Sequence, residues 1–373
     1  MKIAEVESLV GGGGHFVRIT TDSGLVGLGQ SACWGFPSAV HEVVQTFREY
    51  LLGKDPLRIE HHWQYQYRMG PFRGSILSGA VSAVDIALWD IKGQHFQAPI
   101  WQLLGGACRD KIRLHLLMGG GSPEMVHAKA TAAAAEGFTA IKFDPIPDGF
   151  QDMSLAALIA GTVDQVAAAR EAVGKDVDIV LELHRKLTPL QAIPLCDALV
   201  EFRPLLIEDP IQIDSIQSQA EIAKRVTCAI ANGERMHNVW EFRELLVAGG
   251  ARHVRIDPCL AGGLSSAKKI AGLAEAFHAG VIPHGVTSPV GTAVSVQLDA
   301  CIPNFVVQDY LGDDLPPKSD LLVENLVLEN GYLIVPERPG IGVELKPGIE
   351  KQYPPIRRVI ETELHEDGSV ADR

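Results

Sequence analysis

The alternation of polar and apolar positions changes period along the chain, and the changes mark out its architecture. Period-two alternation over KIAEVESLV, HFVRITT and LVGLGQ, with Asp22-Ser23-Gly24 as the turn before the last run, predicts an antiparallel sheet. Helical spacing takes over at 38–50, 56–69 and 76–95, the last with Ile76, Leu77, Ala80, Val84, Ala87, Leu88 and Ile91 as its apolar positions. Strands followed by helices predict a separate α+β unit over residues 1–111. From residue 112, short β-rich runs alternate with longer helical ones. The predicted strands are 112–119, 139–145, 178–184, 205–210, 228–234, 253–258, 280–284 and 305–310. Eight β/α units over 112–330 predict an α/β fold, a parallel (β/α)8 barrel with its helices outside. Those strands complete the barrel, so residues 331–373 are expected to pack back on the first unit as the completion of a cap. The run Gly11–Gly14 precedes a strand instead of a helix N-terminus, which argues against a phosphate cradle. A mobile loop over the barrel mouth is expected there.

Composition narrows the function classes. The 373 residues are 46% hydrophobic and 21% charged, as in an ordinary folded chain with room for two units. A formal net charge of −13 without a basic stripe argues against a nucleic-acid partner. An anionic substrate would need a metal or a few placed cations to overcome that field. Six scattered cysteines with no Cys-x-x-Cys pair are expected to be free thiols in a reducing compartment. Glu5 and Glu7 stand where a signal peptide would need an apolar run, and no uncharged apolar stretch reaches membrane-spanning length. A cytoplasmic chain with no membrane partner is expected.

In such a barrel, chemistry gathers at the C-terminal ends of the strands. Glu182, Glu208 and Glu234 stand at three successive strand ends, each 26 residues after the last. Three like charges brought to one point require a cation among them, and oxygen ligands suit Mg2+. His184 shares a face with Glu182, two residues earlier. His284 ends the seventh strand beside Asp257 at the end of the sixth, the arrangement of an oriented general base. Strand two supplies Lys142 and Asp144 on one face, and strand eight supplies Asp309. Lys142 is expected either to bind a substrate carboxylate or to neutralise the acidic site, and His115 is expected to be a core histidine. A metal that offsets charge on a carboxylate, with a histidine to take the neighbouring proton, makes an enediolate accessible.

The whole chain resembles the enolase superfamily, mandelate racemase subgroup, and within it the sugar-acid dehydratases. The resemblance rests on GAVSAVDIALWDIKG (79–93), WQLLGG, FRPLLIEDP, IANGERM and AGGLSSAKKIAGLAEA. It implies an enolase-type modified barrel with an N-terminal α+β cap. It implies one Mg2+ per site, with Mn2+ as a substitute, held by Glu182, Glu208 and Glu234. It makes Asp257 and His284 the dyad that takes the C2 proton, His184 the acid for the C3 hydroxyl, and Asp309 a hydrogen-bond partner of the substrate carboxylate or enediolate. It also implies a homo-oligomer, dimer or octamer. Three positions depart from the pattern: Glu182 stands where Asp is usual, Arg185 where glycine is common, and Asp309 where Glu is usual. Candidate substrate-binding residues are Lys142, Asp144, Arg185, Trp34, Arg73 and His15. Asp144 occupies the place of a racemase's second lysine, which favours dehydration of a galactonate-like aldonate to a 2-keto-3-deoxy acid. Racemisation, epimerisation or cycloisomerisation through the same enediolate is the alternative, and a non-catalytic sugar-acid-binding homologue the second.

Overall fold

The computed structural model describes residues 1–11, 14–285, 288–355 and 361–372. Its first unit is an antiparallel sheet of β1 (Ile3–Gly11), β2 (Gly14–Thr21) and β3 (Val26–Ser31), covered by α1 (Pro37–Leu51), α2 (Ile59–Arg68) and α3 (Ser75–Phe96), with the short α4 (Ile100–Leu103) after them. Gly11 pairs with Gly14 at the end of the β1–β2 register. Gly12 and Gly13, where the mobile loop over the barrel mouth was expected, lie outside the described residues.

α3 lies unusually close to β3. A Cβ on Gly27 would sit 2.0 Å from the Ala87 carbonyl oxygen, and one on Gly29 would sit 1.9 Å from that of Ala83. Only glycine lets strand and helix backbones meet at that distance.

Eight parallel strands form the second unit, and the expected α/β barrel is present. They are β4 (Lys111–Leu117), β5 (Ala140–Phe143), β6 (Asp178–Glu182), β7 (Leu206–Glu208), β8 (Ile230–Asn232), β9 (His253–Val254), β10 (Gly280–Val281) and β11 (Gln308–Tyr310). β11 pairs with β4, and a parallel bridge from Val281 to Phe305 closes the ring. Helices α5 (Pro123–Ala135), α6 (Leu155–Val173), α7 (Pro189–Leu199), α8 (Ile216–Arg225), α9 (Val239–Ala248), α10 (Gly263–Ala276) and α11 (Pro289–Cys301) follow the first seven strands. Their starts carry local signals: Ser122, Ser154, Asn238 and Ser288 accept first-turn amides, and Thr188 forms a capping box with Gln191. Among the described residues no α-helix lies between β11 and the next strand, only a 3-10 turn at Lys318–Asp320. The chain instead forms the hairpin β12 (Leu328–Glu329) and β13 (Tyr332–Ile334), and β13 runs antiparallel to the start of β4.

The C-terminal residues therefore divide their contacts. Residues 332–334 join the barrel, Gly340 sits against Gly93 and Asp90 of α3, and α12 (Ile349–Gln352) packs on β1. Beyond them, Glu366 N donates to Asp152 of the β5–α6 connection. No helix among the described residues is long and apolar enough to cross a membrane.

Inside the barrel, strand alternation stacks the layers. Ala140, Val180, Leu206, Ala231, Ile282 and Val307 make an apolar floor. Two residues further along five of those strands come Lys142, Glu182, Glu208, His284 and Asp309, so the register that seats the floor also lifts the polar groups into one layer above it.

The cap is held over this mouth by hydrogen bonds that complete a barrel helix. α10 begins at two left-handed glycines with no side-chain cap of its own. Ser82 Oγ on α3 accepts the amides of Gly262 and Gly263 at 2.9 and 3.1 Å, and Asp85 Oδ2 accepts that of Ser265 at 3.0 Å. Trp63 Nε1 donates to the Gly262 carbonyl and Trp89 Nε1 to Ser265 Oγ. First-turn amides need acceptors, and here the other unit supplies them.

Ser82→Ala orphans two of these amides and is expected to lower stability by about 1–3 kcal/mol, read as a fall in Tm. Burial pushes the Asp85 carboxyl up to about 7, against hydrogen bonds from Ser265 that pull it down. The folded chain then binds that proton more tightly than the unfolded chain. The associated stability is complete below the ordinary carboxylate range and is lost as pH rises through about 7. Asp85→Asn carries no such proton, so its Tm is expected to gain on the wild type between about pH 5 and pH 8. A difference in Tm that does not change with pH would rule out the buried titration.

Candidate active site

The carboxylates of Glu182, Glu208 and Glu234 meet at the strand ends, each offering an oxygen within 4.8 Å of the others, and all three are buried. Glu182 and Glu208 are register partners on β6 and β7, and Glu234 follows β8 after the left-handed Gly233. A hard oxygen donor set of this kind fits a divalent cation. Glu208 Oε2 supports that fit, being buried with no aligned hydrogen-bond donor although Lys142 Nζ lies 2.8 Å away.

The groups around the cluster explain how it persists. Lys142 Nζ is 2.8 Å from Glu182 Oε2 and 3.5 Å from Asp309. Burial works against its charge, but the surrounding carboxylates more than restore it and hold its pKa above the usual lysine range. Its contacts in this structure are with the carboxylates of the cluster. Arg255 is fully buried and bridges Glu208 Oε1 at 2.8 Å to Asp309 Oδ2. Burial, with the Glu182 charge beside it, pushes the Glu208 carboxyl well up. Against the same burial, Lys142 and His184 draw Glu182 well down. Glu234 is pushed up by burial but pulled down further by His284 and Arg185, to about 2.

Asp309 was expected to hydrogen-bond the substrate carboxylate or enediolate. Its oxygens are taken by His115, Arg255 and the amide of Gly285, and it has no exposed surface. It is thus a holder of Arg255 and His115, with no oxygen turned to a ligand. His115 is buried as expected, and burial lowers its pKa to about 4 against the pull of Asp309, but its ring belongs to the base of this site.

Two histidines flank the cluster, each fixed through Nδ1 by an aspartate. His284 Nδ1 is 2.7 Å from Asp257 Oδ2, whose other oxygen accepts Cys259 N, and His284 Nε2 lies 3.5 Å from Glu234 Oε2. His184 Nδ1 is 2.8 Å from Asp144 Oδ2, which also binds Lys186 Nζ at 2.7 Å. Those partners hold Asp144 below the usual carboxylate range although burial raises it. Asp144 was expected among the substrate-binding groups; its oxygens instead serve His184, Lys186 and the Ile146 amide.

Arg185 is likewise committed inside the protein. Its Nη1 donates to Asp209 Oδ2 at 2.8 Å and to Glu234 Oε1 at 2.7 Å. Burial opposes its charge, and Glu234 and Asp209 more than offset that. Asp209 is itself pushed up to about 6 by burial and by Glu234. His184 and Arg185 both have left-handed backbones, φ 48° and 64°. Glycine adopts that conformation freely, so an arginine here accepts strain of about 1–3 kcal/mol to place a cation on the cluster.

The cap candidates separate. Trp34 is linked to the site, since Arg235 lies over its ring and reaches Glu234 at 3.1 Å. Arg73 is exposed and bonds the carbonyls of Gly70 and Phe72 in its own loop. His15 is buried on β2 against Ser8, and burial lowers its pKa to about 4. The sequence reasoning missed Arg255, Lys186 and Arg235. Arg255 was legible, standing two residues before Asp257 on one strand and hence on its face. Lys186 and Arg235 lie in connections, where alternation gives no signal.

Comparison with known proteins places this geometry. Residues 14–105 match the family model for the mandelate racemase/muconate lactonizing enzyme N-terminal domain, and residues 124–349 match the enolase C-terminal domain-like model. A D-galactonate dehydratase of Klebsiella pneumoniae (strain 342) is 36% identical over 88% of both chains, and one of Ralstonia nicotianae is 35% identical over 96% of both. The crystal structure of an enolase from Agrobacterium radiobacter, with bound sodium and L-malate, superposes with a TM-score of 0.95 at 28% identity and full coverage of both chains. An enolase superfamily member from Salmonella Typhimurium gives 0.90 at 30% identity, covering 95% of this chain and 98% of its own.

Because Arg185 occupies an oxygen of Glu234, it competes with any ion in the cluster. Arg185→Gly is expected to tighten divalent-ion binding by about tenfold, or about 1.4 kcal/mol, in calorimetric titration. Unchanged or weaker affinity would show that the guanidinium supports the ion site instead of opposing it.

Proposed function

The chain belongs to the mandelate racemase/muconate lactonizing enzyme family of the enolase superfamily, and we propose that it is a Mg2+-dependent hydro-lyase converting a galactonate-like aldonate to its 2-keto-3-deoxy acid. Two aspartate-held histidines beside one three-carboxylate cluster carry this reading. The two D-galactonate dehydratases support the sugar-acid substrate and the lyase class, and L-malate in the Agrobacterium enolase supports a hydroxy-carboxylate.

Glu182, Glu208 and Glu234 would hold the ion, which offsets the charge building on the substrate carboxylate as the C2 proton leaves. His284 is the base. With Nδ1 tied to Asp257, it presents Nε2 for that proton. His184 is the acid. With Nδ1 tied to Asp144, it gives a proton from Nε2 to the C3 hydroxyl, which departs as water. The enol left behind ketonises to the 2-keto-3-deoxy acid. Asp257 and Asp144 position the two rings, and Asp309 positions Arg255. Lys142 and Arg185 balance charge, so recognition of the sugar hydroxyls falls to the rim, with Trp34 and Arg235 the first candidates. The reading also takes the enzyme as a cytoplasmic homo-oligomer, and six unpaired cysteines support the reducing compartment.

His284→Asn is expected to abolish both product formation and C2 hydrogen exchange in D2O, with ligand binding largely kept. His184→Asn is expected to lose dehydration by about 10²–10⁴-fold while keeping C2 exchange, because only departure of the hydroxyl needs the acid. Exhaustive chelation should remove turnover of galactonate and related aldonates. Epimer interconversion by the wild type, with no keto acid formed, would replace dehydration by a two-histidine racemisation.

A further inference from the structure

A second cavity lies away from the barrel mouth, on the seam between cap and barrel. It holds about 450 Å³, within the usual range of about 300–1,000 Å³ for small-molecule sites. Three helices wall it. Glu60 of α2 and Arg58 just before it line one side, α3 contributes Trp89 and Lys92, and α10 contributes Lys268 and Lys269.

Its charge is the reverse of the chain's. Four permanent cations face one carboxylate in a protein of formal net charge −13. That carboxylate, Glu60, is already paired with Lys269 at 2.7 Å. None of the ion pairs among the described residues involves Arg58, Lys92 or Lys268. Lys92 and Lys268 are half-buried. The Lys92 ammonium rests 4.4 Å from the Trp89 ring centroid, and Lys268 donates to the Cys301 carbonyl at 2.6 Å. A ring face and a carbonyl orient these ammonium groups without neutralising them. Partly desolvated cations on facing helices repel one another across the seam, and a bound anion would turn that repulsion into attraction.

We propose that this cavity binds a small organic bisphosphate, whose two phosphate groups bridge the cap cations Arg58 and Lys92 to the barrel cation Lys268. Phosphate suits the donor set, since lysine acts as a point charge and arginine as a planar fork. The volume and the spread of cations over three helices favour two phosphate groups over one. Such a ligand ties α10 to α2 and α3, the helices whose hydrogen bonds seat the cap. Its effect is therefore to stiffen the cap over the barrel from a distance.

The test uses the full chain with Mg2+ present in excess over ligand. Fructose 1,6-bisphosphate and inorganic phosphate are titrated by calorimetry, and Tm is followed in parallel. Expected is micromolar binding of the bisphosphate that weakens with added salt, a rise in Tm, and at least tenfold weaker binding of phosphate. In the double variant Lys92→Gln, Lys268→Gln, bisphosphate affinity should fall at least tenfold while turnover without the bisphosphate is unchanged. Absence of binding, or equal binding by wild type and variant, overturns the proposal. Equal affinity for inorganic phosphate overturns the bisphosphate assignment in favour of a single-anion site. A change of molecular mass in light scattering for the variant, with no bisphosphate binding by the wild type, would assign the cations to contact between copies of the chain.

Discussion

Buried like charge is the constraint around which the barrel interior is built. Glu182, Glu208, Glu234, Asp209, Asp257 and Asp309 are all buried at the strand ends, and the permanent cations buried among them are Lys142, Arg185 and Arg255. Carboxylates so placed cannot all ionise unless cations match them. Burial raises the Glu208 and Asp209 carboxyls accordingly. The positions of Lys142 under Glu182 and Glu208, of Arg255 between Glu208 and Asp309, and of Arg185 against Glu234 all follow from that imbalance. A divalent ion would supply positive charge that this cluster lacks.

The same constraint explains what the sequence could and could not reveal. Strand period is two, so knowing that Val180 and Leu206 form a floor fixes Glu182 and Glu208 above it, and the equal spacing of Glu234 completes the set. The barrel and its acid triad were legible for that reason, as were the three helices of the cap. Side-chain commitments were not. Asp144, Arg185 and Asp309 carry the right chemistry to touch a substrate, and only coordinates show that His184, Glu234 and Arg255 have claimed them first. The hairpin in place of an eighth helix was hidden too, because the segment after β11 carries no clear period.

Departures from the family pattern acquire physical meaning in the same way. An arginine at 185 keeps a left-handed backbone that glycine would adopt without strain, and in exchange fixes a charge 2.7 Å from a cluster ligand. Asp309 is engaged by neighbours on β4 and β9–β10, so its length is set by Arg255 and His115. The segment GAVSAVDIALWDIKG, which carried much of the resemblance, is a docking element. Ser82, Asp85 and Trp89 face α10, while Asp90 Oδ2 and Oδ1 receive the amides of Leu28 and Ile341.

The contact of α3 with β3 sets where this scaffold can change. At Gly27 and Gly29 the two backbones leave no room for even a methyl group, so helix and sheet move as one block and cannot slide to accommodate a different ligand. A chain of this design that acquires a new substrate must therefore do so outside this block, in the connections that carry Trp34 and Arg235. The seat beneath them stays invariant in shape, and diversification is channelled into those segments.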